Sequence, residues 1–115
     1  MLPAKNRLTR KDDFQRVYQK GTFFSFGDIT LKATENSQKE TRVGFLIEKK
    51  TTKKAAKRNK IKRLLREAFS RQLKRIKPGF DVVVFYKGKE RIGKFQQVDL
   101  AVKKLLEKSG LIKAK

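Results

Sequence analysis

Residues 49–76 read KKTTKKAAKRNKIKRLLREAFSRQLKRI, and the rest of the chain is arranged around them. From Lys49 to Arg66 the cations Lys49, Lys50, Lys53, Lys54, Lys57, Arg58, Lys60, Lys62, Arg63 and Arg66 follow one another with no acid between them. Like charges at i,i+4 cost a helix roughly a few tenths of a kcal/mol per pair. An uncompensated run of this kind points to a polyanion as the source of the neutralising charge. Ile61, Leu64, Leu65, Ala68, Phe69, Leu73 and Ile76 recur at the spacing of a helix with one apolar face. At about 100° per residue, Lys60, Lys62, Arg63 and Arg66 fall away from that stripe, whereas Lys57 and Arg58 fall on its own side. Charge buried there would be costly without a partner. The first turns of the helix are therefore expected to overhang the core, leaving Lys53 to Arg58 exposed.

The flanking segments are apolar strands. Residues 42–48 predict a strand with Val43, Phe45 and Ile47 on one face and Gly44 and Leu46 on the other, a pattern expected of a central strand. Lys77-Pro78-Gly79 stops the helix, and residues 80–86 form a nearly continuous apolar run. A strand buried on both faces and entered from a helix predicts a parallel pairing with the strand before that helix. Upstream, residues 22–26 and 28–34 predict two more strands around Gly27, and residues 35–41 a polar hairpin loop. Thr9-Arg10-Lys11-Asp12 has the form of a capping box opening a helix of about two turns that carries Phe14, Val17 and Tyr18 and ends before Gly21. Residues 87–94 predict a basic loop. Phe95, Val98, Ala101, Val102, Leu105 and Leu106 mark a final amphipathic helix. The order is α-β-β-β-α-β-α, an α+β two-layer sandwich with helices packed on a four-stranded mixed sheet. The 115 residues suffice for one domain, with residues 1–7 as a flexible basic arm and 109–115 as a flexible tail.

Composition narrows the function. Lys and Arg number 32 against 11 Asp and Glu, a formal net charge of +21 that places the chain with nucleic-acid binders. The absence of Cys and His excludes disulfides, thiolate chemistry, imidazole bases and the usual zinc sites. The acids are scattered: Asp12 and Asp13 sit where a helix dipole favours them, and no cluster suggests a catalytic or metal-holding group. No apolar run approaches the roughly 18 residues of a membrane span, so a soluble cytoplasmic protein with no membrane association is expected.

Over nearly its whole length the sequence resembles the protein subunit of bacterial ribonuclease P. The resemblance is carried by Asn6-Arg7-Leu8, Asp13-Phe14, Val17-Tyr18 with Gly21, Arg42-Val43-Gly44 leading to Lys49-Lys50, and above all Lys54-Ala55-Ala56-Lys57-Arg58-Asn59-Lys60-Ile61-Lys62-Arg63-Leu64-Leu65-Arg66-Glu67. Where the family has Arg-Asn-Arg, this chain has Arg58-Asn59-Lys60, which keeps the charge but loses a fork-shaped phosphate donor. Lys32 stands where the family often carries an aromatic on the second strand. The resemblance implies a left-handed crossover between the third and fourth strands, against the general right-handed rule. It further implies that Lys49, Lys50, Lys53, Lys54, Lys57, Arg58, Asn59, Lys60, Lys62, Arg63 and Arg66 meet the catalytic ribonuclease P RNA. The 5′ leader of precursor tRNA is expected in a cleft between the first helix and the sheet, at Phe14, Tyr18, Thr30 and Lys32. Hydrolysis is then expected of the RNA with Mg2+, with no catalytic residue, no protein-held metal and no obligate protein partner. The rival is a ribosomal-type or general RNA chaperone, which would not favour leader-bearing over mature tRNA.

Overall fold

The computed structural model describes residues 2–49, 52–88 and 95–112. Along it run α1 (Lys11–Lys20), β1 (Thr22–Phe26), β2 (Ile29–Glu35), β3 (Arg42–Ile47), α2 (Ala55–Gln72), β4 (Phe80–Tyr86) and α3 (Phe95–Lys108), with short 3-10 turns at Ala4–Asn6 and Leu73–Arg75. This is the expected order. The sheet order is β1-β2-β4-β3, with β1/β2 and β2/β4 antiparallel and β3/β4 parallel. The parallel pair joined through α2 is therefore as the sequence predicts.

Two strand expectations are corrected. β4, not β3, is the interior strand on that side, because β4 inserts between β2 and β3. β3 is apolar on both faces although it lies at the edge: Val43 and Ile47 are buried under α2, and Gly44 is buried under the ring of Phe14. Arg7 bridges to Val43, and the Leu8 amide donates to the Val43 carbonyl at 3.0 Å, so the N-terminal segment covers part of that edge. The same insertion means that the segment between β2 and β3 passes over β4 and is not a hairpin. The real hairpin is β1–β2, closed by Gly27-Asp28 with Gly27 at φ +60, a conformation that favours glycine.

The main core lies between one sheet face and the helices α2 and α3. Leu31, Val82, Val84 and Tyr86 meet Leu65, Phe69, Val102, Leu105 and Leu106, all buried. The first buried residue of α2 is Ile61, so the helix's first turns do overhang. α1 packs on the opposite face, where Val17, Leu8 and Val83 form a second small core with Phe14 and Phe85 against it. No side chain caps α1; Arg10 holds the N-cap position, so the capping box expected at Thr9 is not made. Both chain ends, expected to be flexible, contribute to the main core. Leu2 is buried, and Gly110 at φ +76 turns the chain so that Leu111 and Ile112 fold back onto it. The Leu111 carbonyl then accepts from the Lys77 amide at 2.8 Å.

Gly44 shows how tightly α1 sits. A Cβ there would overlap the Phe14 ring and come to 3.1 Å from the Leu8 carbonyl. Gly44→Val is expected to destabilise the fold by about 1–3 kcal/mol through overpacking. In thermal melts, pairing it with Phe14→Leu should recover part of the loss. Equal melting points for the single and double variants would show that the ring does not set the fit.

Candidate nucleic-acid interface

The sheet register aligns two rows across the face that α1 shares. Gly44, Val83, Lys32 and Phe23 form one row, and Leu46, Phe85, Thr30 and Ser25 the other. α1 covers Val83 with Phe14 and Val17, leaving the second row open. Tyr18, on the last turns of α1 and 60% exposed, leans over that opening with its ring edge-on to Phe85 at 6.0 Å. Lys32 places its ammonium 3.9 Å from the centre of the Tyr18 ring and donates to the Tyr18 carbonyl at 2.9 Å. Tyr18, Phe23, Thr30, Lys32, Glu48, Phe85 and Lys87 thus line one cleft of about 510 Å³.

Three of the four residues expected in a leader cleft, Tyr18, Thr30 and Lys32, come together there. Phe14 does not join them. Half-buried, it lines a neighbouring cleft of about 350 Å³ with Arg7, Gly44, Leu46, Lys62 and Arg66, around the β3 edge. The i,i+4 spacing places Phe14 and Tyr18 on one side of α1, but Phe14 packs on Gly44 of the edge strand β3, whereas Tyr18 meets Phe85 of β4 and Lys32 of β2. Phe23 was not singled out in the sequence, although it is 60% exposed in the cleft. The two-residue turn at Gly27-Asp28 could have found it, because counting back from that turn pairs Phe23 with Lys32. The same alternation carries the open face of β3 from Leu46 to Glu48.

The basic helix presents the other face. Lys49, Lys53, Lys54, Lys57, Asn59, Lys60 and Arg63 are exposed, and Lys62 and Arg66 are half-buried along the side that turns toward β3. Lys50 lies outside the described residues. Arg58 departs from the expected all-round exposure. Its guanidinium folds back and donates from Nη1 to the Thr52 carbonyl at 3.0 Å and the Lys53 carbonyl at 2.7 Å. Thr52, fully buried, donates through Oγ1 to the Gly88 carbonyl at 3.1 Å, so the approach to α2 is tied to the end of β4. No acid stands in the first turn of α2, which concentrates positive charge at a helix end whose dipole already favours anions.

A buried ionic cluster holds α1 over the sheet. Asp81 is fully buried in β4 and accepts from Arg42 Nε at 2.8 Å, Arg42 Nη2 at 2.7 Å and Asn36 Nδ2 at 2.9 Å, with Arg16 of α1 also on its Oδ2. Asp13 of α1 lies 3.5 Å from Arg42 and 3.8 Å from Arg16. Burial pushes the Asp81 carboxyl up, but hydrogen bonds from Arg42 and Asn36 and the charges of Arg42 and Arg16 outweigh it, leaving Asp81 below the usual carboxylate range. Arg42 is correspondingly raised, chiefly by its hydrogen bond to Asp81. This gives Asp13 a structural role beyond the helix dipole. Among the described residues no group of three or more acids could hold a metal ion, and no helix is long and apolar enough to cross a membrane.

Known proteins share both sequence and architecture with this chain. The profile of the Ribonuclease P family matches residues 2–110. The ribonuclease P protein component of Pseudanabaena sp. is 34% identical over 113 residues, covering 97% of each chain. That of Dehalococcoides mccartyi is 36% identical over 111 residues, covering 96% of this chain and 90% of its own. Among solved structures, the RNase P protein of Thermotoga maritima matches with a TM-score of 0.78 at 31% identity, over 89% of this chain and 96% of its own. That of Staphylococcus aureus matches with a TM-score of 0.84 at 26% identity, over 93% of this chain and 97% of its own. With a family profile spanning almost all of its residues and the same fold in its relatives, the chain belongs to the ribonuclease P protein family.

Proposed function

We propose that the chain works as a two-faced RNA clamp within ribonuclease P. α2 and the lysines before it grip the catalytic RNA, and the Tyr18 cleft takes the single-stranded 5′ leader of precursor tRNA in the cytoplasm. The observation that carries this reading is the separation of chemistries. Lys53, Lys54, Lys60 and Arg63 form an exposed surface dominated by cations, suited to the phosphates of a folded RNA. The cleft combines the rings of Tyr18, Phe23 and Phe85 with Lys32 and Lys87, which suits unpaired bases stacked on aromatics beside a tracked backbone. Hydrolysis of the phosphodiester is assigned to the RNA subunit and the Mg2+ it holds. The protein contributes screening and positioning.

Reconstitution tests the assignment. With a bacterial ribonuclease P RNA at low Mg2+, adding the protein should raise cleavage of precursor tRNA, and leader-bearing tRNA should compete better than mature tRNA. Unchanged cleavage would sink the assignment, and equal competition would favour a general RNA chaperone. Within the holoenzyme, Tyr18→Ala should weaken precursor tRNA binding by roughly tenfold, from about 1–3 kcal/mol per stacked base. Binding of mature tRNA and the melting point should hardly move, since the side chain is exposed. An unchanged preference for leader-bearing tRNA would remove Tyr18 from the site.

A further inference from the structure

Glu48 is an anomaly in a surface otherwise built for phosphate. It lines the Tyr18 cleft on the same side of β3 as Leu46, and its amide is fixed at 3.0 Å from the Tyr86 carbonyl, which sets where the side chain leaves the strand. It is half-buried, and among the described residues no Lys or Arg forms an ion pair with it. Of the two lysines that line the cleft, Lys32 is engaged on the ring and carbonyl of Tyr18, and Lys87, which the β3/β4 register sets beside Glu48, forms no ion pair with it. With a net charge of +21, the chain has cations in excess, yet among the described residues no ion pair neutralises this carboxylate.

A carboxylate repels phosphate and accepts only, so nothing on an RNA backbone suits it except a 2′-hydroxyl. Nucleobases differ in what they offer it. Adenine and cytosine present an exocyclic amine, and guanine presents an amine and a ring N–H side by side, which a carboxylate can take with two bonds. Uracil offers one ring N–H flanked by two carbonyl oxygens that a carboxylate repels. The rings of Tyr18, Phe23 and Phe85 beside Glu48 hold a base by its face and leave its edge to be read.

We propose that Glu48 reads the base edge of one leader nucleotide, favouring amino-bearing bases, guanine above all, and rejecting uracil. This rests on the cleft being the leader site. Glu48 is a specificity-determining residue and takes no part in bond breaking.

The test measures binding of precursor tRNAs to the reconstituted holoenzyme, with each leader nucleotide varied in turn among guanine, adenine, cytosine and uracil. One position is expected where guanine binds about tenfold or more tighter than uracil. Glu48→Gln should bring that ratio to within about twofold, because an amide can turn its N–H toward a uracil carbonyl. Affinity for mature tRNA should hold. A uracil penalty that survives in Glu48→Gln, or no penalty at any position in the parent protein while leader-bearing tRNA still binds more tightly than mature tRNA, overturns the role of Glu48 and leaves the cleft assignment standing. If leader-bearing and mature tRNA bind the parent holoenzyme equally, the cleft assignment falls and the role of Glu48 with it.

Discussion

Asp81→Ala should lower the stability of the fold by on the order of 3–5 kcal/mol, the cost of removing one partner from a buried ion cluster. For a chain of 115 residues this corresponds to a fall in melting temperature of about 10–20 °C. The loss is large because three groups depend on one carboxylate: Arg42 through two hydrogen bonds, Asn36 through one, and Arg16 of α1. Replacing it leaves Arg42, itself mostly buried, facing only Asp13 at 3.5 Å. Calorimetric or circular-dichroism melts check the result; a shift below about 3 °C would show the cluster to be nearly neutral. Because Arg16 ties α1 to the cluster, the same variant should also loosen the helix that carries Tyr18. Leader preference should then fall even at temperatures where the protein is folded.

The acid limb gives an independent check. Asp81 has a lower pKa folded than unfolded, so the unfolded chain takes up its proton first as pH falls. The stabilisation is complete above the unfolded value, about 4, and is lost as pH drops through the folded one. Asp81→Asn removes this group from the titration, so its stability should fall less steeply than that of the parent protein below about pH 4. Parallel acid limbs would mean that other carboxylates dominate acid unfolding.

Replacing Lys60, Lys62, Arg63 and Arg66 together by alanine should nearly abolish catalytic-RNA binding at physiological salt. Each lost phosphate contact lowers the slope of log K against log salt by roughly 0.7–0.9, so four contacts lower it by about 3. Between about 50 and 200 mM salt the parent protein should therefore lose on the order of 60-fold more affinity than the variant does. The variant should melt within a few degrees of its parent. These side chains lie off the stripe of Ile61, Leu65, Ala68 and Phe69, and relief of like-charge repulsion along α2 offsets the packing lost at the half-buried Lys62 and Arg66. An unchanged salt slope would mean that this face meets solvent in the complex. Arg58 is deliberately absent from the set, because its bonds to the Thr52 and Lys53 carbonyls would confuse binding with folding.

Local sequence determined much of this protein. The stripe of α2, the nearly continuous apolar run of β4 and the parallel pairing of β3 with β4 were legible, because periodicity records which side chains must leave water, whereas α2 ends at Gln72, short of the stop expected at Pro78-Gly79. The charge excess named the class of partner for the same local reason. What covers each apolar face was not legible. Gly44 and Leu46 signalled two buried sides of β3, but packing covers only Gly44, under Phe14 of α1, and leaves Leu46 exposed at the sheet edge. The buried Asp81 cluster draws Arg16, Asn36 and Arg42 from three segments, and Asp13 with them, a convergence that no local pattern encodes.

The candidate site divides along the same line. Tyr18, Thr30 and Lys32 were foreseen as members of a cleft, while Phe14 was separated from them, and Phe23 and Glu48 joined them, by the register of β1 against β2 and the insertion of β4 beside β3. A residue's own neighbours in sequence decide whether it is helical, extended or charged. Which residues share a cleft depends on strand pairings made across long loops, whose outcome is set by the burial of the whole core.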